Sequence, residues 1–178
     1  SNMGWSDNYP KHFRFYSLHQ MVEHVVNAEM MGDFVECGCW KGHSSYIIAK
    51  IIANSKQPRT FHIFDSFEGG LSERQAQDGK AILGENFSST EDELFNTLKG
   101  FDFVKTYKGW IPERFNEVGD REFCFVHLDV DLYQPIKDSL EFFYPKIVKG
   151  GVIVLDDYGY SAFPGTKKAT DEFLQNNE

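Results

Sequence analysis

The chain has 178 residues, 41% of them apolar and 25% charged, with a net charge of −9. These proportions fit one globular domain, residues 1–178, and exclude general disorder. The acidic balance argues against nucleic-acid partners and against an anionic membrane surface, since both need clustered Lys and Arg. No run of about 18 apolar residues and no signal-peptide layout is present, so a cytoplasmic protein is expected. Cysteines number three, and Cys37-Gly38-Cys39 lacks the second pair that would complete a zinc site. Reduced, packed thiols are the expectation.

Residues 1–17 are aromatic and read as irregular, with Tyr9-Pro10 as a break. Apolar residues at Leu18, Met21, Val22, Val25 and Val26 have helical spacing, and Gly32 ends that helix. Phe34-Val35 opens a short buried strand that stops at Glu36-Cys37-Gly38. Ser44 to Asn54 reads as a helix with Ser44 as its N-cap. Thr60 to Phe64 is a second strand, stopping at Asp65. Residues 66–89 have no convincing periodicity, and a loop this long in a compact domain is usually a functional lid or mobile. Thr90 and Glu93 form a capping box that opens a helix through about Lys99. Phe103 to Tyr107 is a less hydrophobic strand suited to a sheet edge, and a short helical turn starts at Gly109-Trp110-Ile111-Pro112.

The most informative stretch runs from Phe123 to Tyr158. An apolar strand, Phe123 to Leu128, stops on Asp129, and Asp131 follows. An amphipathic helix (Tyr133 to Tyr144) and a Gly150-Gly151 turn lead to a second apolar strand, Val152 to Leu155, which stops on Asp156-Asp157. A last helix runs from Thr166 to Leu174. The alternation of strand and helix predicts an α/β fold with a doubly wound, mainly parallel sheet. Parallel strands place all four aspartates at one carboxyl edge, where ligands bind in such sheets. Crowded carboxylates repel unless a cation sits among them, and oxygen donors suit Mg²⁺ or another hard divalent ion.

The turn Glu36-Cys37-Gly38-Cys39-Trp40-Lys41-Gly42-His43-Ser44 joins the first strand to a helix, with glycines that let the backbone approach a ligand. It is not the G-x-G-x-x-G dinucleotide fingerprint. Asp65, ending the next strand, is placed to accept ribose hydroxyls, or else to cap the turn at Ser66. Taken together, E-x-G-x-x-x-G-x-S and the strand ending in Asp65 resemble the S-adenosylmethionine site of a class I methyltransferase. His127-Leu128-Asp129-Val130-Asp131-Leu132-Tyr133, Phe143-Tyr144-Pro145, Gly150-Gly151 and Asp156-Asp157-Tyr158 are similar to the macrocin O-methyltransferase family. So are Phe64-Asp65-Ser66-Phe67-Glu68-Gly69 and Phe163-Pro164-Gly165, and the resemblance covers roughly residues 32–174.

That resemblance implies metal-dependent methylation of a hydroxyl on a sugar or related polyhydroxylated small molecule. It implies Asp129, Asp156 and Asp157 as metal ligands and Asp131 as general base. His127 competes for the base role, because histidine titrates near neutral pH, against a bland reading as a core histidine. Glu36, Gly38, Trp40, Gly42, Ser44, Asp65, Ser66, Gly109 and Trp110 are the residues expected around the cofactor. Two other classes compete: an S-adenosylhomocysteine-binding protein without turnover, and a metal-dependent glycosyltransferase reading of Asp129-Val130-Asp131. The expected strand order is 3-2-1-4-5, without the C-terminal antiparallel hairpin usual in such methyltransferases. The last strand would then be an open edge: either the chain is a fragment of a longer protein, or the edge is covered by the aromatic N-terminal segment or, the favoured reading, by a second copy of the chain as a homodimer.

Overall fold

The computed structural model describes residues 9–70, 73–79 and 88–177. Five parallel strands form one sheet: β1 (Asp33–Cys37), β2 (Phe61–Asp65), β3 (Val104–Lys108), β4 (Phe123–Leu128) and β5 (Ile147–Leu155). Their order is β3-β2-β1-β4-β5, as expected from the sequence. Among the described residues five α-helices flank them: α1 (Tyr9–Asn27), α2 (His43–Ile52), α3 (Glu91–Thr97), α4 (Tyr133–Phe143) and α5 (Pro164–Asn176). Leu18, Val22 and Val25 of α1, Ile48, Ile51 and Ile52 of α2, and Leu94 of α3 pack on one face of the sheet. On the other face, Ile136, Leu140 and Phe143 of α4 and Ala169 of α5 enclose a core rich in phenylalanine. This is the three-layer solution for strands buried on both sides.

Several boundaries differ from the sequence reading. The first helix begins at Tyr9, not Leu18, because Pro10 falls in its first turn, where the missing N–H costs nothing. The irregular stretch expected over 1–17 is therefore helical from Tyr9 onward. Ser44 is not the N-cap of α2; Gly42 is, with φ 81°. Gly150-Gly151 is no turn before β5 but lies inside it, at a register shift where Phe123 pairs with Ile147 and Phe125 with Val152. The short helical turn falls at Phe115–Val118. Of the expected 66–89 loop, residues 71–72 and 80–87 lie outside the described residues, while Ala76–Asp78 forms a 3₁₀ turn. Thr90 caps α3 as expected, accepting from the Glu93 amide at 3.2 Å. Among the described residues, no helix is long and apolar enough to cross a membrane.

Candidate active site

Parallel pairing places the carboxyl ends of β1, β2, β4 and β5 side by side. The Asp129 amide donates to Cys37 O at 2.9 Å, and the Asp156 amide donates to Leu128 O at 3.0 Å. The aspartates that follow β4 and β5 are thereby brought next to the Gly38–Gly42 turn. Gly38 sits at φ 81°, and a Cβ there would lie 1.9 Å from the Asp129 carbonyl oxygen. Its lack of a side chain therefore serves the junction of β1 with β4. Gly42 likewise makes room for Leu94 and Thr97 of α3.

Asp129, Asp131 and Asp157 bring carboxylate oxygens within 4.8 Å of one another, and His127, Asp129 and Asp156 form a second such group. Asp129 belongs to both. Asp156 is drawn away from the all-carboxylate group by two cations. Its Oδ2 is 3.0 Å from Arg14 Nη1, and its Oδ1 is 3.7 Å from His127 Nε2. Arg14 also reaches Asp129 Oδ2, at 3.4 Å. Asp131 holds a left-handed backbone (φ 60°), and its carbonyl accepts from Thr166 Oγ1 at 3.1 Å.

The electrostatics follow from burial. Burial and the neighbouring Asp156 charge push the Asp129 carboxyl well above the usual range. Burial, the Asp129 charge and a hydrogen bond with Asp157 push Asp131 up to about 9. Burial also raises Asp157. Burial acts the same way on Asp156, but the His127 and Arg14 charges outweigh it and hold that carboxyl low. His127 is buried, which disfavours its charge, yet Asp156 and Glu36 win and raise it to about 10. It is an imidazolium at neutral pH, bonded through Nδ1 to Glu36 Oε1 at 2.9 Å. A cluster of oxygen donors whose carboxyls are pushed up by burial and by one another's charge has the chemistry of a hard divalent-cation site.

Glu36 is fully buried and its carboxylate is spent on Ser45 and His127. Asp65 Oδ2 accepts from the amides of Cys39 (2.8 Å) and Trp40 (3.1 Å), and Oδ1 from the Phe67 amide (2.8 Å). Asp65 thus clamps the turn, and Oδ1, with one bond, keeps a lone pair for a ligand. Ser44 is buried in α2. Ser66 is buried too; its hydroxyl donates to Gly70 O and accepts from the Glu68 amide at 3.1 Å, an internal turn. The Gly109 amide donates to Asp65 O at 3.0 Å, which sets Trp110 near that strand end, where its Nε1 meets Glu68 Oε2 at 3.4 Å. Trp40 adopts φ 45° at the apex of the turn, with Lys41 over its ring.

Sequence reasoning missed Arg14, Ser45 and Asp78. Asp78 is fully buried and accepts from the Tyr133 amide at 2.6 Å, so it caps α4 from a different part of the chain. No local pattern marks Arg14 or Asp78, whose partners Asp129 and Tyr133 lie 115 and 55 residues away, and Ser45 meets Glu36 only once the turn between them closes; a 3.6-residue period extended back to Tyr9 would have put Arg14 on a helix.

The chain is 29% identical over 171 residues to demethyldecarbamoylnovobiocin O-methyltransferase of Streptomyces niveus, covering 90% of this chain and 64% of that protein. It is 29% identical over 160 residues to a rhamnosyl-tetracenomycin-C 4'-O-methyltransferase of Streptomyces olivaceus, covering 84% of this chain and 61% of that one. The chain thus spans under two thirds of the length of these relatives. The solved structure of the O-methyltransferase NovP superposes with a TM-score of 0.81 at 28% identity, covering 92% of this chain and 72% of NovP. A calicheamicin methyltransferase shares the fold at 19% identity, with a TM-score of 0.77 and coverage of 96% and 74%. The sequence pattern described as Macrocin-O-methyltransferase (TylF) matches residues 11–178, and the chain belongs to that family.

Proposed function

We propose that the protein transfers a methyl group from S-adenosylmethionine to a hydroxyl of a sugar or related polyhydroxylated small molecule, assisted by a divalent ion such as Mg²⁺. The single observation that carries this reading is the convergence of Asp129, Asp131 and Asp157 at the same sheet edge as the Gly38–Trp40 turn. Relatives named for methylating rhamnosyl-tetracenomycin C and mycinamicin III support the acceptor class. Family membership favours methyl transfer over the nucleotide-sugar reading of Asp129-Val130-Asp131.

S-adenosylmethionine would supply the methyl group as an electrophilic sulfonium. The turn held by Asp65 gives it a preformed rim, and the spare lone pair on Asp65 Oδ1 suits a ribose hydroxyl. Gly109 and Trp110, tied to the end of β2, border the same rim. A divalent ion held by Asp129 and Asp157, and by Asp156 once it turns from Arg14, would keep the carboxylates ionised and lower the pKa of an adjacent hydroxyl. Asp131 would act as the base only while that ion keeps it ionised, since its carboxylate oxygens share the cluster with those of Asp129 and Asp157. His127 is no base at neutral pH, because it already carries its proton between Glu36 and Asp156. Its role is to orient Asp156, and Glu36 acts behind it.

Calorimetric titration with S-adenosylhomocysteine, with and without Mg²⁺, tests the reading. Binding of the nucleoside is expected in both cases, and a separate Mg²⁺ isotherm should vanish in Asp129→Asn. Failure to bind S-adenosylhomocysteine would end the methyltransferase reading. Binding without methyl transfer to any hydroxylated acceptor would favour a protein that binds without turnover. The buried, unpaired thiols of Cys37, Cys39 and Cys124 fit a reducing compartment such as the cytoplasm.

A further inference from the structure

Arg14 reaches the acidic cluster from α1 and forks across carboxylates that follow two different strands. Nη1 lies 3.0 Å from Asp156 Oδ2, and Nη2 lies 3.4 Å from Asp129 Oδ2. A guanidinium placed between two carboxylates fulfils the electrostatic task of a bridging cation. It is loosely held, with 44% of its side chain exposed. The part of α1 that carries it also buries little. Among the described side chains of this helix the buried ones are Leu18, Val22 and Val25, whereas residues 12–17 include none, and Phe13 and Tyr16 are 54% and 64% exposed. Lifting that half of the helix would cost little apolar burial.

We propose that Arg14 is a placeholder cation: it holds Asp129 and Asp156 together while no divalent ion is present, and it yields them when the ion binds, releasing the first half of α1 from the acidic cluster. The inference rests on reading the cluster as a divalent-cation site. A compact dication and the guanidinium cannot occupy the same space between the same oxygens. Docking of Arg14 and binding of the ion are therefore negatively linked, each weakening the other by the same factor. The sign separates this role from a scaffolding one. If Arg14 merely braced the carboxylates, its removal would let them splay and would weaken the ion.

The test is titration of the 178-residue chain with Mn²⁺ at low ionic strength, with free Mn²⁺ read by electron paramagnetic resonance and no substrate needed. Arg14→Gln should bind Mn²⁺ about tenfold more tightly than the parent, the scale of two half-exposed ion pairs, equivalent to about 1.4 kcal/mol. Arg14→Lys, which keeps the charge, should stay closer to the parent. Hydrogen exchange gives a second readout: Mg²⁺ should speed exchange at residues 12–17 in the parent and leave Arg14→Gln, already fast, unchanged. Equal or weaker Mn²⁺ binding by Arg14→Gln would overturn the proposal, as would Arg14→Lys binding as tightly as Arg14→Gln. Absence of Mn²⁺ binding in all three proteins would overturn the cation-site reading itself, and the placeholder role with it.

Discussion

At the scale of single residues, His127 and Asp131 hold protons that the unfolded chain would release. His127 rises from 6.5 to about 10 and Asp131 from 3.8 to about 9. The folded state binds more protons than the unfolded state through those windows, so stability falls as pH rises. The His127 contribution is fully present below about pH 6.5 and is lost as pH climbs through about 10; Asp131 acts in the same direction. In EDTA, melting temperature should therefore fall steadily between pH 6.5 and 10, and saturating Mg²⁺ should flatten the slope by stabilising the ionised carboxylates. A flat profile in EDTA would mean that His127 is neutral. Asp65 yields a second test. Because it accepts from three backbone amides, Asp65→Ala should lose about 2 kcal/mol of stability as well as affinity for S-adenosylhomocysteine. The sequence alone predicts only the loss of affinity. Unaltered melting together with unaltered affinity would remove Asp65 from both roles.

At the scale of elements, the loop between β4 and α4 is pinned from both ends. The carbonyl of Asp129 packs against the Cβ-free face of Gly38, and α4 starts on the carboxylate of Asp78. Gly38→Ala would force a side chain into backbone at a left-handed φ, a combination of strain and overpacking. Denaturant unfolding should show a loss of about 3 kcal/mol or more; a change under about 1 kcal/mol would mean that the β1–β4 junction relaxes freely. Asp78→Ala should cost about 1–2 kcal/mol by uncapping α4. The same variant should speed hydrogen exchange at the Tyr133 amide, and an unchanged exchange rate there would show that the cap is dispensable.

At the scale of the whole molecule, β5 pairs with β4 alone among the described residues, and its apolar side chains are half-buried. α1 covers one face of β5, packing with Val148, Val152 and Val154, but it does not pair with the outer backbone edge. A bare edge of this character invites association. Light scattering at micromolar concentration is expected to show a dimer. A monomer whose Val152–Leu155 amides exchange rapidly would contradict that.

The strands and the four aspartates were legible in the sequence because each depends on local pattern, whereas the strand order followed from the family resemblance. Short apolar runs rich in aromatic and β-branched residues, such as Phe123 to Leu128, read as buried strands, and parallel pairing then fixes which edge their terminal carboxylates share. The division of labour among those carboxylates was not legible. Arg14 and Asp129 are 115 residues apart, and Glu36 and His127 are 91 apart. Which cation meets which acid depends on where α1 lands on the sheet, and that is decided by packing at Leu18, Val22 and Val25, not by any motif. Gly38 makes the same point. The sequence marks a position that needs glycine, but only the tertiary structure shows that the neighbour requiring it is the backbone of Asp129. Local composition determines which groups can exist at an edge; their charges and pairings arise from long-range contacts formed when the layers close.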